Sequence, residues 1–281
     1  MTLALTGATG QLGRLVIEKL TALNPAQPVV ALARSPEKAR ELGVEVRPFD
    51  YDQPDTLAPA LDGVETLLLI SGSEVGRRVP QHEAVIAAAK TAGMGHIVYT
   101  SLLHADTSTL GLAPEHLATE ELLRASGLGH TILRNGWYTE NYTMGLPAAL
   151  EHKALIGSAG TGRISSATRE DFAEAAAKVL TDKTLQGRTH ELAGDDSYTL
   201  SDLTAILSKQ AGVEVSYVDM PPAEYTAALV QAGLPEGLAG FLAQCDAEAA
   251  KDVLFDDGKQ LSQLLGRPTT PLDIAVARAI V

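Results

Sequence analysis

Short, nearly continuous apolar runs alternate with helically spaced segments along the first half of the chain. Residues 2–6, 29–33, 44–47, 66–70, 96–100 and 130–134 read as six strands. The second is entered through Pro25 and Pro28, and the third ends at Asp50-Tyr51-Asp52. Residues 14–20, 81–90 and 114–125 carry helical spacing, the last two closed by Gly93 and Gly127. Strands this apolar do not suit a half-exposed antiparallel sheet; they belong in a sheet covered on both faces. The alternation therefore predicts a doubly wound parallel α/β fold of the Rossmann type.

Beyond Asn135 the rhythm changes. Residues 157–162 read as a Gly/Ser/Thr loop, 169–180 as a helix returning to the main domain, and 189–192 as a further strand. Ser201 is the expected N-cap of the next helix, and the remainder is mainly helical with one β signal at 213–218. The expected division is residues 1–135 plus about 165–195 as the nucleotide-binding domain. About 136–164 and 196–281 then form a smaller, mainly helical lobe that completes a cleft.

Composition narrows the classes. At 281 residues the chain is long enough for one large core and a smaller lobe. It has no apolar stretch of the ~20 residues that span a bilayer and no basic segment before an apolar run at its start. Membrane association and secretion are not expected. Cys245 is the sole cysteine, which excludes an internal disulfide, and its alanine-rich setting reads as packing. A net charge of −13 repels phosphate polymers, so nucleic acid is not the expected partner. The seven histidines are scattered without a His-x-x-x-His pair, and no metal site is expected. Cytoplasmic residence fits these features.

The first strand runs into Thr6-Gly7-Ala8-Thr9-Gly10-Gln11-Leu12-Gly13 and then an amphipathic helix. Gly7 turns without a Cβ penalty, Gly10 admits a pyrophosphate against the backbone, and Gly13 lets the helix pack close. Thr9, Gln11 and Leu12 belong to the same cradle. A carboxylate closes the second strand when the nucleotide is NAD; here Arg34 stands there, with Lys38 one turn on. A guanidinium grips a 2′-phosphate that a carboxylate would repel, so the expected cofactor is NADPH. A solvated surface charge is the ordinary alternative for Arg34.

Asp50 and Tyr51 end the third strand near the expected adenine, though Asp50 reads equally well as a turn residue. Ser71-Gly72-Ser73 and Thr100-Ser101 follow strands four and five, at the carboxyl edge where such sheets bind ligands. Asn135 follows strand six with Trp137 and Tyr138, whose flat faces suit a planar acceptor, and His104 borders the same region. Core packing is the ordinary reading of such aromatics.

Thr6–Gly13, Arg34, Asp50-Tyr51, Thr100-Ser101, Leu133-Arg134-Asn135 and Tyr138-Thr139-Glu140-Asn141 resemble the NmrA-like branch of atypical short-chain dehydrogenases. Ile70-Ser71-Gly72 and His116-Leu117-Ala118-Thr119-Glu120 resemble its quinone oxidoreductase and triphenylmethane reductase subgroup. The resemblance implies NADPH-dependent hydride transfer to a quinone or similar planar acceptor by a monomer or homodimer. The family's Tyr-x-x-x-Lys pair is missing: Leu112 takes the tyrosine position and His116 the lysine position. His116 and Tyr138 are the candidate catalytic residues, His116 because imidazole titrates near neutrality. The missing pair also leaves a second reading, a non-catalytic NADP(H)-binding redox sensor.

Overall fold

The computed structural model describes residues 2–23 and 28–280, so Pro25 lies outside the described residues. The chain folds as two compact units: residues up to Asp106 with Leu112–Asn135 and Arg169–Leu192, and Thr107–Gly111 with Gly136–Thr168 and everything from Ala193.

The first unit is built on a seven-stranded sheet. Its strands are β1 (Thr2–Leu5), β2 (Val29–Ala33), β3 (Glu45–Pro48), β4 (Val64–Leu69), β5 (His96–Leu102), β6 (Gly129–Asn135) and β8 (Thr189–Leu192). They pair in parallel throughout, in the order β3-β2-β1-β4-β5-β6-β8. The order reverses direction at β1, the switch point beyond which ligands bind in open α/β sheets.

Its helices are α1 (Gln11–Leu23), α2 (Pro36–Ala39), α3 (Leu57–Ala60), α4 (Arg78–Thr91), α5 (Ala113–Ser126) and α8 (Arg169–Thr181). Helix α1 packs on α8, and α4 on α5. Leu67, Leu69, Ile97 and Tyr99 join Val85 and Ile86 of α4 and Leu123 of α5 in one core. Leu68 is buried too, and side chains alternate along a strand, so it serves the opposite face. That double burial explains why the central strands read as nearly unbroken apolar runs, while edge strand β3, with Glu45 and Arg47, is half-exposed. Helix α1 buries Leu12, Val16, Ile17 and Leu20, a single stripe at helical spacing.

The second unit holds α6 (Glu140–Thr143), α7 (Leu146–His152), β7 (Ala154–Gly157), α9 (Leu200–Ala211), β9 (Ser216–Asp219), α10 (Pro222–Gln231), α11 (Glu236–Ala249), α12 (Gln260–Leu265) and α13 (Leu272–Ala279). Strands β7 and β9 form a separate parallel pair. The β signal is thus displaced toward Asp219, and its partner β7 ends at Gly157, where a loop was expected to begin. Thr107–Gly111 joins this unit because Thr109 Oγ1 donates to Glu248 Oε2 and Gly111 lies against Gln244. Ser201 does not cap α9. Thr199 does, accepting from the Asp202 backbone N–H at 3.1 Å while Asp202 accepts in return from the Thr199 N–H. Among the described residues no helix is long and apolar enough to cross a membrane.

Candidate functional site

At the end of β1, Thr6 Oγ1 accepts from the Ile70 N–H at 3.0 Å and ties this strand to the end of β4. Gly7 then turns with φ +61°, a conformation that disfavours any side chain. The Gly10 N–H donates to the Gly7 carbonyl at 2.9 Å. A Cβ on Gly13 would sit 2.3 Å from the Gly7 oxygen and 2.8 Å from the Ala8 Cα. Only glycine lets α1 begin this close to the turn. The first N–H groups of α1, at Gln11 and Leu12, have no place in the helical ladder, and the first turn carries no acid to compete for them. This is an anion cradle made of backbone.

Arg34 follows β2 with its side chain 67% exposed, and its Nη1 is 3.4 Å from Glu74 Oε1. Glu74 also accepts from Arg77 at 3.0 Å and from Gln81 at 3.1 Å, and Arg77 reaches Asp52 at 2.5 Å. Glu74 and Arg77 were not singled out in the sequence, because they meet Arg34 only through the fold. Lys38 on α2 is exposed. Asp50 accepts from the Asp52 N–H at 3.1 Å and from Gln53 Nε2 at 3.0 Å, the bonds of a turn residue. Tyr51 packs edge-on against Phe49; burial pushes its hydroxyl pKa up, against the Thr6 hydrogen bond and the Arg34 charge.

After β4, the Ser71 N–H donates to Thr100 Oγ1 at 2.9 Å. The Gly72 N–H donates to His82 Nε2 at 3.1 Å, and its carbonyl accepts from Arg78 Nε at 2.8 Å; Ser73 is exposed. Ser101 Oγ donates to Glu120 at 2.6 Å. Glu120 is fully buried and also receives Arg134 through Nε at 2.9 Å and Nη2 at 2.8 Å. Arg134 Nη1 reaches Asp106 at 2.9 Å and Glu191 at 2.7 Å. Burial pushes the Glu120 carboxyl up, but the hydrogen bonds from Arg134 and Ser101 prevail and hold it below the usual range. The hydroxyls of Thr100 and Ser101 thus serve protein partners. His104 takes φ +52°, and its N–H donates to Glu191 Oε2 at 2.9 Å.

The expectation that His116 titrates near neutrality does not hold. His116 is buried, with Nδ1 2.9 Å from the Tyr99 hydroxyl; burial, then the Arg78 charge and His82, push its pKa down to about 3. It is a neutral imidazole at physiological pH. Asn135, 5% exposed at the end of β6, has a side-chain oxygen with no hydrogen-bond partner among the described residues. A buried amide oxygen left unpaired costs about 1–3 kcal/mol, so a ligand donor there would be stabilised.

Trp137 and Tyr138 belong to the second unit. Trp137 is 9% exposed and its carbonyl accepts from the Ala167 N–H at 3.1 Å; Tyr138 is half-buried and bridges to Ala167. In the same unit, buried Asp246 accepts from the Tyr142 hydroxyl at 3.2 Å and from the Ser158 N–H at 3.1 Å. Burial raises its pKa against these bonds.

A family model described as NAD(P)H-binding matches residues 7–183. The chain belongs to that NAD(P)H-binding family. Quinone oxidoreductase 2 of Escherichia coli (strain K12) is 55% identical over 278 residues, covering 98% of this chain and 97% of that one. A crystal structure of NADPH-dependent quinone oxidoreductase from Escherichia coli complexed with NADPH superposes with a TM-score of 0.96 at 54% identity, covering 99% and 100% of the two chains. Citrobacter sp. triphenylmethane reductase complexed with NADP(H) gives a TM-score of 0.95 at 39% identity, covering 99% of each. The subgroup that the sequence resembles is therefore well represented among its relatives. This NAD(P)H-binding protein carries a site that fits a dinucleotide: a glycine cradle that a Cβ at position 13 would fill, a cation after β2, and, among the described residues, an unpaired amide oxygen at the end of β6.

Proposed function

We propose that the protein is an NADPH-dependent oxidoreductase that passes hydride to a quinone or a similar planar aromatic acceptor. The observation that carries the cofactor is Arg34 at the end of β2, beside the glycine turn; the acceptor class rests on the relatives. Gly7, Thr9, Gly10, Gln11 and Leu12 hold the pyrophosphate, Arg34 and Lys38 the 2′-phosphate, and Asp50 and Tyr51 flank the adenine. Ser71, Gly72, Ser73, Thr100, Ser101 and Asn135 form the nicotinamide end, and His104, Trp137 and Tyr138 receive the acceptor.

NADPH supplies the hydride when bound. The chain's own residues bind and orient; Leu112 cannot move a proton, and His116 is held neutral against Tyr99. An acceptor that needs little acid assistance suits such a site, since water can protonate a reduced quinone oxygen. The protein then works in the cytoplasm, as a monomer or homodimer, on small molecules rather than nucleic acid.

The test is to mix pure protein with NADPH and a quinone panel and follow the nicotinamide absorbance. Turnover well above the uncatalysed rate is expected. NADPH binding without turnover of any acceptor would overturn catalysis in favour of the redox sensor.

A further inference from the structure

The backbone of Gly72 is gripped on both sides by buried side chains of α4, at its N–H and at its carbonyl. Its N–H donates to His82 Nε2 at 3.1 Å, so that nitrogen carries no proton. Burial and the Arg78 charge hold the His82 pKa down to about 3, so the ring is neutral and its proton sits on Nδ1. Nδ1 lies 3.0 Å from Thr119 Oγ1, which in turn donates to the Glu115 carbonyl at 2.9 Å. The chain of bonds thus runs in one direction, from the Gly72 N–H into α5.

The carbonyl side is held as firmly. Gly72 O accepts from Arg78 Nε at 2.8 Å, and Arg78 Nη1 pairs with Glu115 Oε2 at 2.9 Å. Glu115 Oε1 also takes the Gly76 N–H at 2.9 Å, which fixes the other end of the same loop. His82 is 0% exposed and Arg78 4% exposed. Packing alone does not require this. Apolar residues of similar volume fill such a space at no loss of stability, and often at a gain. The polar groups converge instead on one backbone unit just past the carboxyl end of β4, on the ligand-binding edge of the sheet.

We infer that His82 and Arg78, backed by Thr119 and Glu115, are positioning residues that set the Gly72 backbone, the peptide groups on either side of its Cα, as a wall for the nicotinamide half of bound NADPH. The inference rests on the cofactor reading above. Thr119 and Glu115 on α5 thus act on Gly72 through α4.

The test compares two probes by calorimetry on the full chain: NADPH, and 2′-phospho-ADP-ribose, which lacks the nicotinamide. Thr119→Val keeps the side chain's shape and strips the acceptor from His82. It should raise the NADPH dissociation constant about tenfold while changing that of 2′-phospho-ADP-ribose less than about twofold. His82→Gln keeps an acceptor toward Gly72 and a donor toward Thr119, and should retain NADPH affinity within about threefold. Equal losses for both probes would show a merely structural network and overturn the inference, as would unchanged NADPH binding in Thr119→Val. Failure of the unsubstituted protein to bind NADPH would instead overturn the cofactor reading.

Discussion

Arg34 shares Glu74 with Arg77 and Gln81. A 2′-phosphate arriving at Arg34 must therefore compete with a carboxylate already beside it. Two substitutions follow, with opposite signs. Arg34→Glu should weaken NADPH binding about tenfold or more while leaving NADH binding nearly unchanged, because two charge-assisted bonds are exchanged for repulsion. Glu74→Gln should strengthen NADPH binding by less than about fivefold, since an exposed ion pair is worth little. Calorimetric titration with both nucleotides checks each. Equal losses of NADPH and NADH in Arg34→Glu would show that the guanidinium does not read the phosphate. Residues of the glycine turn were legible in the sequence because what they satisfy, a positive φ at Gly7 and a close approach at Gly13, is local. His82 and Arg78 were not legible. Their partners on α5 are 37 residues away in each case, and nothing local marks a buried histidine inside a helix.

At the scale of elements, the central strands β1, β2, β4 and β5 were readable because burial on both faces removes most polar positions, whereas edge strand β3 keeps Glu45 and Arg47. The short pieces were not: β7 spans 4 residues, too few for alternation to declare itself. The α9 cap lay in a run, Thr199-Leu200-Ser201-Asp202, that offers two hydroxyls, and the reciprocal bond from Asp202 selects the earlier one. Thr199→Ala should cost about 1 kcal/mol in denaturant unfolding, and Ser201→Ala only a few tenths. Helix α5 is fastened more strongly. Ser101, Arg124 and Arg134 all donate to Glu120, from β5, α5 itself and β6. Glu120→Ala strands part of a buried guanidinium and should cost about 3–5 kcal/mol, read from urea midpoints. A loss below about 1 kcal/mol would mean that Asp106 and Glu191 suffice for Arg134.

For the whole molecule, buried titratable groups set how stability varies with acidity, and groups of two kinds pull in opposite directions. In the first kind, His82 and His116 are pushed to about 3, below their usual 6.5. The unfolded chain then binds more protons between those values, so this contribution is full above about pH 6.5 and is lost as pH falls. In the second kind, Asp246 is raised above 3.8, so its contribution is full below that value and is lost as pH rises through the folded pKa. Unfolding followed from about pH 4 to about pH 8 should show the acid-side loss diminished in His82→Gln. Asp246→Asn should gain stability relative to the unsubstituted protein toward the alkaline end. An unchanged acid-side slope in His82→Gln would mean that the imidazole is not held neutral by the fold.

The route of the chain bears on its synthesis. The polypeptide leaves the first unit at Asn135, passes through residues 136–168 in the second, and returns with α8 and β8. Helix α8 is the partner of α1, and β8 pairs with the outer side of β6. A nascent chain that has emerged through Asn135 holds six strands of the sheet, yet β6 is still a bare edge and α1 lacks its neighbour. Such unpaired edges and uncovered apolar faces are what chaperones engage and what aggregation exploits. The unit encoded first is therefore finished only once β8 has emerged, and a chain emerged past Asn135 but not yet to Arg169 leaves that edge and that helix face uncovered.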